Sequence, residues 1–152
     1  MLCLKYWKGL LDLRRYIRYN FYMAEKQTSI FIVDDDEFIL DVYSVKFREK
    51  GYNVEISMSG SDAFEKIKQG FSPDVMLLDI VMPKMDGFEL LKKIREEKLI
   101  PGSLIIILTN LGQKEDIQKG IDLKADDYVV KAYYTPSKIA QKVEGLLLKK
   151  KK

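Results

Sequence analysis

Four short, unbroken apolar runs constrain this chain, because each ends on a group that can do chemistry. Ile30-Phe-Ile-Val33 runs into Asp34-Asp35-Asp36, and Val75-Met-Leu-Leu78 into Asp79. Leu104-Ile-Ile-Ile-Leu108 runs into Thr109, and Tyr128-Val-Val130 into Lys131. A run without polar alternation reads as a strand buried on both faces. Such strands belong to a parallel sheet with helices packed on either side. Tyr52 to Ile56 reads as one further strand.

The segments between these runs carry helical periodicity. A helix is expected from about Asp36 to Lys50, with Phe38, Val42 and Val45 on its stripe and Gly51 as its stop. Gly60 to Lys68 is expected to turn Ala63, Phe64 and Ile67 inward, and Phe88 to Glu97 to turn in Phe88, Leu91 and Ile94. Residues 111–120 read as a weak helix anchored by Ile117 and Ile121 and bracketed by Gly112 and Gly120. The last helix starts at Pro136 after the N-cap Thr135 and carries Ile139, Val143, Leu146 and Leu147. Strand and helix alternate throughout, which points to an α/β domain with a parallel sheet.

Composition removes several chemistries. The chain of 152 residues contains no histidine, which excludes histidine bases, histidine metal ligands and an internal phosphohistidine. A single cysteine, Cys3, excludes an internal disulfide framework and suits a reducing compartment. No apolar run approaches the ~20 residues of a membrane span. The net charge is +3, yet residues 1–22 alone contribute +4, from Lys5, Lys8, Arg14, Arg15 and Arg18 against Asp12. The remainder is slightly acidic, and no basic face suited to nucleic acid stands out. Residues 1–27 are therefore expected to be a basic, aromatic extension, dispensable to a functional domain over residues 28–148; residues 149–152 form a lysine tail. Leu10, Leu13, Ile17 and Phe21 recur at helical spacing among arginines, so a membrane-surface helix is the alternative for the extension.

In an open parallel sheet, ligands collect outside the carboxyl ends of the strands. Asp34, Asp35, Asp79, Thr109 and Lys131 would share that rim. If the strand order were 2-1-3-4-5, the first and third strands would be neighbours and three carboxylates would crowd together. Such a cluster calls for a cation. Oxygen donors without histidine or cysteine favour Mg²⁺, with Mn²⁺ the alternative. A carboxylate beside a metal, a lysine and a hydroxyl suits phosphoryl transfer onto that carboxylate.

The chain resembles the receiver domains of two-component response regulators, from about Ser29 to Leu148. The resemblance rests on Ile30-Phe-Ile-Val-Asp34-Asp35-Asp36, Leu77-Leu-Asp79-Ile-Val-Met-Pro83-Lys-Met-Asp-Gly87, Ile107-Leu-Thr109 and Ala125-Asp-Asp-Tyr128-Val-Val-Lys131. It implies a flavodoxin-like (βα)₅ doubly wound sheet of order 2-1-3-4-5. It also implies that Asp79 accepts the phosphoryl group and that Asp34 and Asp35 form the acidic pair at Mg²⁺. Asp35, Asp79 and the backbone carbonyl of Val81 would be the direct ligands. Lys131 would contact the phosphoryl group, Thr109 would be the switch hydroxyl and Tyr128 the aromatic that turns inward. The donor would be a phosphohistidine on a sensor histidine kinase or phosphotransfer protein in the cytoplasm. No further domain is expected after Lys152, so the output would pass to a downstream protein through residues 111–121, 128–130 and 136–148.

Three departures from the family pattern matter, at four positions. Ala132 stands where a cis proline usually follows the lysine, and the cost of about 2.5–4 kcal/mol for a cis bond before a non-proline favours a trans peptide. Asn110 replaces a smaller residue after the threonine. Val81 and Leu111 are apolar where polar groups often position the hydrolytic water, so a long-lived phosphorylated state is expected. The competing reading is a receiver-like adaptor that is never phosphorylated. A haloacid-dehalogenase-type enzyme would need a second aspartate at position 81, and the acidic loop at Asp34 to Glu37 would repel the phosphate of a flavin.

Overall fold

The computed structural model describes residues 13–15, 17–18 and 27–152. From Ser29 onward strands and helices alternate: β1 (Ser29–Val33), α1 (Glu37–Glu49), β2 (Asn53–Ser57), α2 (Gly60–Lys68), β3 (Val75–Leu78), α3 (Gly87–Glu96), β4 (Leu104–Thr109), α4 (Lys114–Asp122), β5 (Asp127–Val130) and α5 (Pro136–Lys150). A short 3₁₀ turn, Lys131–Tyr133, joins β5 to α5. The strands pair in parallel in the order β2-β1-β3-β4-β5. This is the expected flavodoxin-like, doubly wound sheet.

Alternate side chains of each strand feed two separate cores. Phe31, Val33, Met76, Leu78, Ile105 and Ile107 pack with α2 and α3 on one face. Ile30, Ile32, Leu77, Ile106 and Leu108 pack with α1 and α5 on the other. Burial on both faces is why these strands lack polar alternation. Local signals then place the helices. Asp36 caps α1 by accepting from the amides of Phe38 and Ile39, Asp86 caps α3, and Thr135 caps α5 with Pro136 following it.

Two helix faces differ from expectation. On α1 the buried residues are Leu40, Tyr43, Ser44 and Phe47, whereas Phe38 is 72% exposed and Val45 is also exposed. Phe38-Val42-Val45 and Leu40-Tyr43-Phe47 both have helical spacing, so periodicity alone did not separate them. On α4, which starts at Lys114 rather than residue 111, Ile121 is 56% exposed and Gly120 is the buried residue. A Cβ on Gly120 would lie 2.8 Å from both Ile107 Cδ1 and Tyr128 Cδ2. The helix seats by contact of its bare backbone, so Gly120 lies inside it rather than ending it.

Among the described part of the N-terminal segment, residues 13–15 and 17–18 are helical, and Leu13 and Ile17 are exposed. The other residues expected to form that extension lie outside the described residues. Among the described residues no helix is long and apolar enough to cross a membrane.

The two candidate faces of α1 predict opposite outcomes. Leu40→Ala should destabilise the fold by about 2–5 kcal/mol. Phe38→Ala should change stability by no more than about 0.5 kcal/mol. Urea denaturation of both variants measures the contrast.

Candidate functional site

Register brings the reactive residues to one rim. Val33 pairs with Leu78, so Asp34 and Asp79 leave adjacent strands side by side. Thr109 pairs with Val130, so Lys131 emerges just past the threonine. The backbone fixes both acids: the Asp34 amide donates to Ser57 O (3.1 Å) and the Asp79 amide to Val33 O (2.9 Å).

Asp79 is only 7% exposed, and Asp34 is likewise buried. Asp79 Oδ1 accepts from the Ile80 amide at 2.8 Å, and Asp79 Oδ2 lies 3.6 Å from Lys131 Nζ. Lys131 Nζ also donates to Asp34 Oδ2, while Asp34 Oδ1 accepts from the Asp36 amide at 3.0 Å. Lys131 is therefore the cation between the two buried carboxylates. Asp35 is exposed at the edge of the cluster. Thr109 is fully buried at the end of β4, and its Oγ1 lies 3.4 Å from the Leu111 amide.

Asp34, Asp35 and Asp79 each offer a carboxylate oxygen, all within 4.8 Å of one another. Octahedral Mg²⁺ with bonds of ~2.0–2.1 Å separates opposite ligands by about 4.2 Å. A small closure of side chains spans that difference, and the donors are all hard oxygens. The three residues fit a divalent ion of this kind.

The remaining expected residues fall around the mouth. Val81 and Asn110 are exposed. Leu111 is half-buried against the core, and its carbonyl accepts from the Tyr128 hydroxyl at 2.9 Å. Tyr128 is half-buried; burial, with Asp116 and Asp79, pushes its phenol up to about 12. Ala132 is exposed in the 3₁₀ turn, and the peptide joining it to Lys131 is trans, as are all peptides among the described residues. Lys131 reaches the carboxylates without a cis bond.

Gly87 was legible only as a turn residue, yet the site depends on its missing side chain. A Cβ there would sit 2.1 Å from the carbonyl oxygen of Asp79 and 2.9 Å from its carbonyl carbon. The N-terminus of α3 thus presses on the backbone that carries Asp79, and the Gly87 amide donates to Ile80 O at 3.0 Å. The Asp-Gly pair was the available signal: Asp86 caps the helix and Gly87 permits the close approach.

A family model described as "Response regulator receiver domain" matches residues 30–144. The chain is 36% identical over 123 residues to the "Probable transcriptional regulator ycf27" of Guillardia theta, covering 81% of this chain and 46% of that protein. It is 35% identical over 126 residues to the response regulator SaeR of Staphylococcus aureus, covering 82% and 53%. The chain thus spans about half the length of the curated relatives it matches. Among solved structures, the CheY-like receiver domain protein of Methanospirillum hungatei superposes with a TM-score of 0.75 at 31% identity, covering 83% of this chain and 98% of that one. The chain belongs to the response regulator receiver domain family of two-component systems. Receiver domains are phosphoacceptor signalling modules that interact with histidine kinases or phosphotransfer proteins, and they generally bind Mg²⁺ at an acidic pocket.

The Asp79 carboxyl responds to several neighbours. Burial pushes it up, Lys131 pulls it down, Asp34 pushes it up, and the Thr109 hydroxyl and Ile80 amide pull it down. Burial wins, so Asp79 titrates above the usual carboxylate range. The folded state then holds a proton that the unfolded state releases first. Stability from this group is present below the unfolded value and is lost as pH rises through the folded one. In EDTA, Asp79→Asn should raise the urea midpoint at pH 7. That gain should fade as pH falls to about 3.9, the unfolded carboxyl value. Gly87→Ala should lower stability by more than about 2 kcal/mol through the clash with Asp79.

Proposed function

We propose that residues 28–148 form a phosphorylation-driven switch in which Asp79 is the phosphoacceptor. The carrying observation is the burial of Asp79 beside Asp34, with Lys131 Nζ 3.6 Å from its outer oxygen. An Asp79 carboxylate oxygen attacks the phosphorus of a phosphohistidine on a partner kinase or phosphotransfer protein. The P–N bond breaks and the imidazole leaves with its electron pair. Asp35, Asp79 and the Val81 carbonyl would hold Mg²⁺, with Asp34 as the second member of the acidic pair. The ion, when bound, offsets the charge of the carboxylate and the incoming phosphoryl group.

Lys131 and Thr109 supply the other contacts to the phosphoryl oxygens. Drawing the Lys131 ammonium onto that group loosens its hold on Asp34 Oδ2. Moving the Thr109 hydroxyl pulls on Leu111, whose carbonyl is tied to the Tyr128 hydroxyl. Tyr128 packs on Gly120 of α4. Among its residues α4 buries only Gly120, and Gln113 gives it no side-chain cap. That helix is the element most easily biased between two positions. Its face, with β5 and α5, is the surface read by a downstream protein.

Acetyl phosphate with Mg²⁺ should add one phosphoryl mass to the wild type and none to Asp79→Asn, by mass spectrometry. Absence of any label on wild type would favour the adaptor reading instead. Lys131→Ala should retain labelling better than it retains the change in amide exchange over residues 114–122.

The apolar Val81 and Leu111 and the exposed Asn110 and Ala132 shape the mouth of the site. They offer few groups to orient a water for attack on the acyl phosphate, which supports slow hydrolysis. Val81→Asn combined with Leu111→Glu should shorten the phosphorylated lifetime by ~10-fold or more, by positioning that water. A radiolabel chase measures it.

A further inference from the structure

The pole of the molecule opposite Asp79 carries Lys149–Lys152, which the phosphorylation site does not use, and the start of β1. All strands run parallel, so their N-terminal ends share this pole, about 16 Å along β1 from the Asp34 end. Thr28 leads into β1 here. The helix α5 runs back from the site rim and ends here as well. The two meet in a shallow groove of about 280 Å³ lined by Thr28, Tyr52, Glu144, Leu147, Leu148 and Lys151. The fold therefore places Thr28, through which residues 1–27 are tethered to the domain, beside Lys151 and the lysines that flank it.

The chemistry of the two segments is the same. Residues 1–22 carry a net +4, and four consecutive lysines follow Leu148. Those lysines are exposed, and none pairs with an acid among the described residues. The acid in this groove is already engaged: Glu144 pairs with Lys50 at 2.9 Å. Each basic segment also exposes large apolar side chains. Leu13 and Ile17 are four apart on helical residues, and Leu148 at the end of α5 is 66% exposed.

We propose that this pole is a docking surface for an anionic lipid bilayer, using the amphipathic segment around Leu13 and Ile17 together with Lys149–Lys152. Leucine and isoleucine interleaved with arginine match a headgroup boundary, where apolar side chains enter and cations meet phosphate. A polynucleotide would use the cations but leave the exposed leucines and isoleucine idle. A second copy of the chain would bring two like-charged poles together. Binding in this orientation turns the Asp79 rim away from the bilayer and leaves it open to a phosphodonor.

Sedimentation of the full chain with vesicles tests the proposal. Vesicles of phosphatidylcholine plus phosphatidylglycerol should bind at least ~10-fold better than phosphatidylcholine alone, and ~1 M salt should abolish most of that difference. Leu13→Glu with Ile17→Glu, and separately Lys149 to Lys152 all changed to Gln, should each lower binding by ~10-fold. All variants should keep wild-type acetyl-phosphate labelling and circular dichroism, which keeps failure here separate from failure of the phosphorylation reading. Equal binding to neutral vesicles, no binding at all, or indifference to the lysine substitutions would overturn the proposal. So would displacement from anionic vesicles by an equal charge concentration of duplex DNA.

Discussion

The structure turns on keeping two carboxylates buried side by side at the ends of adjacent strands. Desolvation disfavours a charged Asp79, and Asp34 beside it makes matters worse. Lys131, arriving from the far edge of the sheet, is what makes the arrangement tolerable. Breaking such a pair leaves an uncompensated buried charge, so the lysine holds the two acids together. The parallel sheet, the register of β1 against β3, and the close approach of Gly87 all serve to hold these acids where water and solutes reach only one side.

That crowding also explains how a local event can travel. Anything that draws Lys131 or Thr109 toward a new group changes the balance among charges already in contact. Thr109 sits against Leu111, Leu111 is bonded to Tyr128, and Tyr128 rests on Gly120. Each link is a short contact between side chain and backbone. The chain of contacts ends on α4, the helix with the smallest buried face, where a small bias has the least packing to overcome. The opposite pole is built differently. Its charges are spread over the exposed Lys149–Lys152 and a salt bridge, Lys50 to Glu144, that solvent screens, which suits reversible contact with a large charged surface.

Much of this was legible before any coordinates. Unbroken apolar runs marked the strands because burial on both faces leaves no polar alternation. Asp79, Asp34, Asp35, Thr109 and Lys131 stood out because each follows such a run. Thr135-Pro136 announced a helix start because capping is a local interaction between neighbours. The trans peptide after Lys131 followed from the local cost of its alternative.

Other features answer to atoms distant in the chain, and no local pattern encodes them. Phe38-Val42-Val45 and Leu40-Tyr43-Phe47 are equally helical stripes; the sheet beneath α1 selects the second. Ile121 looks like an anchor until α4 is seen to touch β4 and β5 through Gly120, where any side chain would collide with Ile107 and Tyr128. Gly87 reads as a turn, but its lack of a side chain matters because Asp79 lies against it. Hydrophobic periodicity, caps and strand ends are properties of neighbours along the backbone and survive in one dimension. Which face is buried, which glycine is needed and which cation meets which acid are properties of surfaces pressed together, and they come into being only when the chain closes on itself.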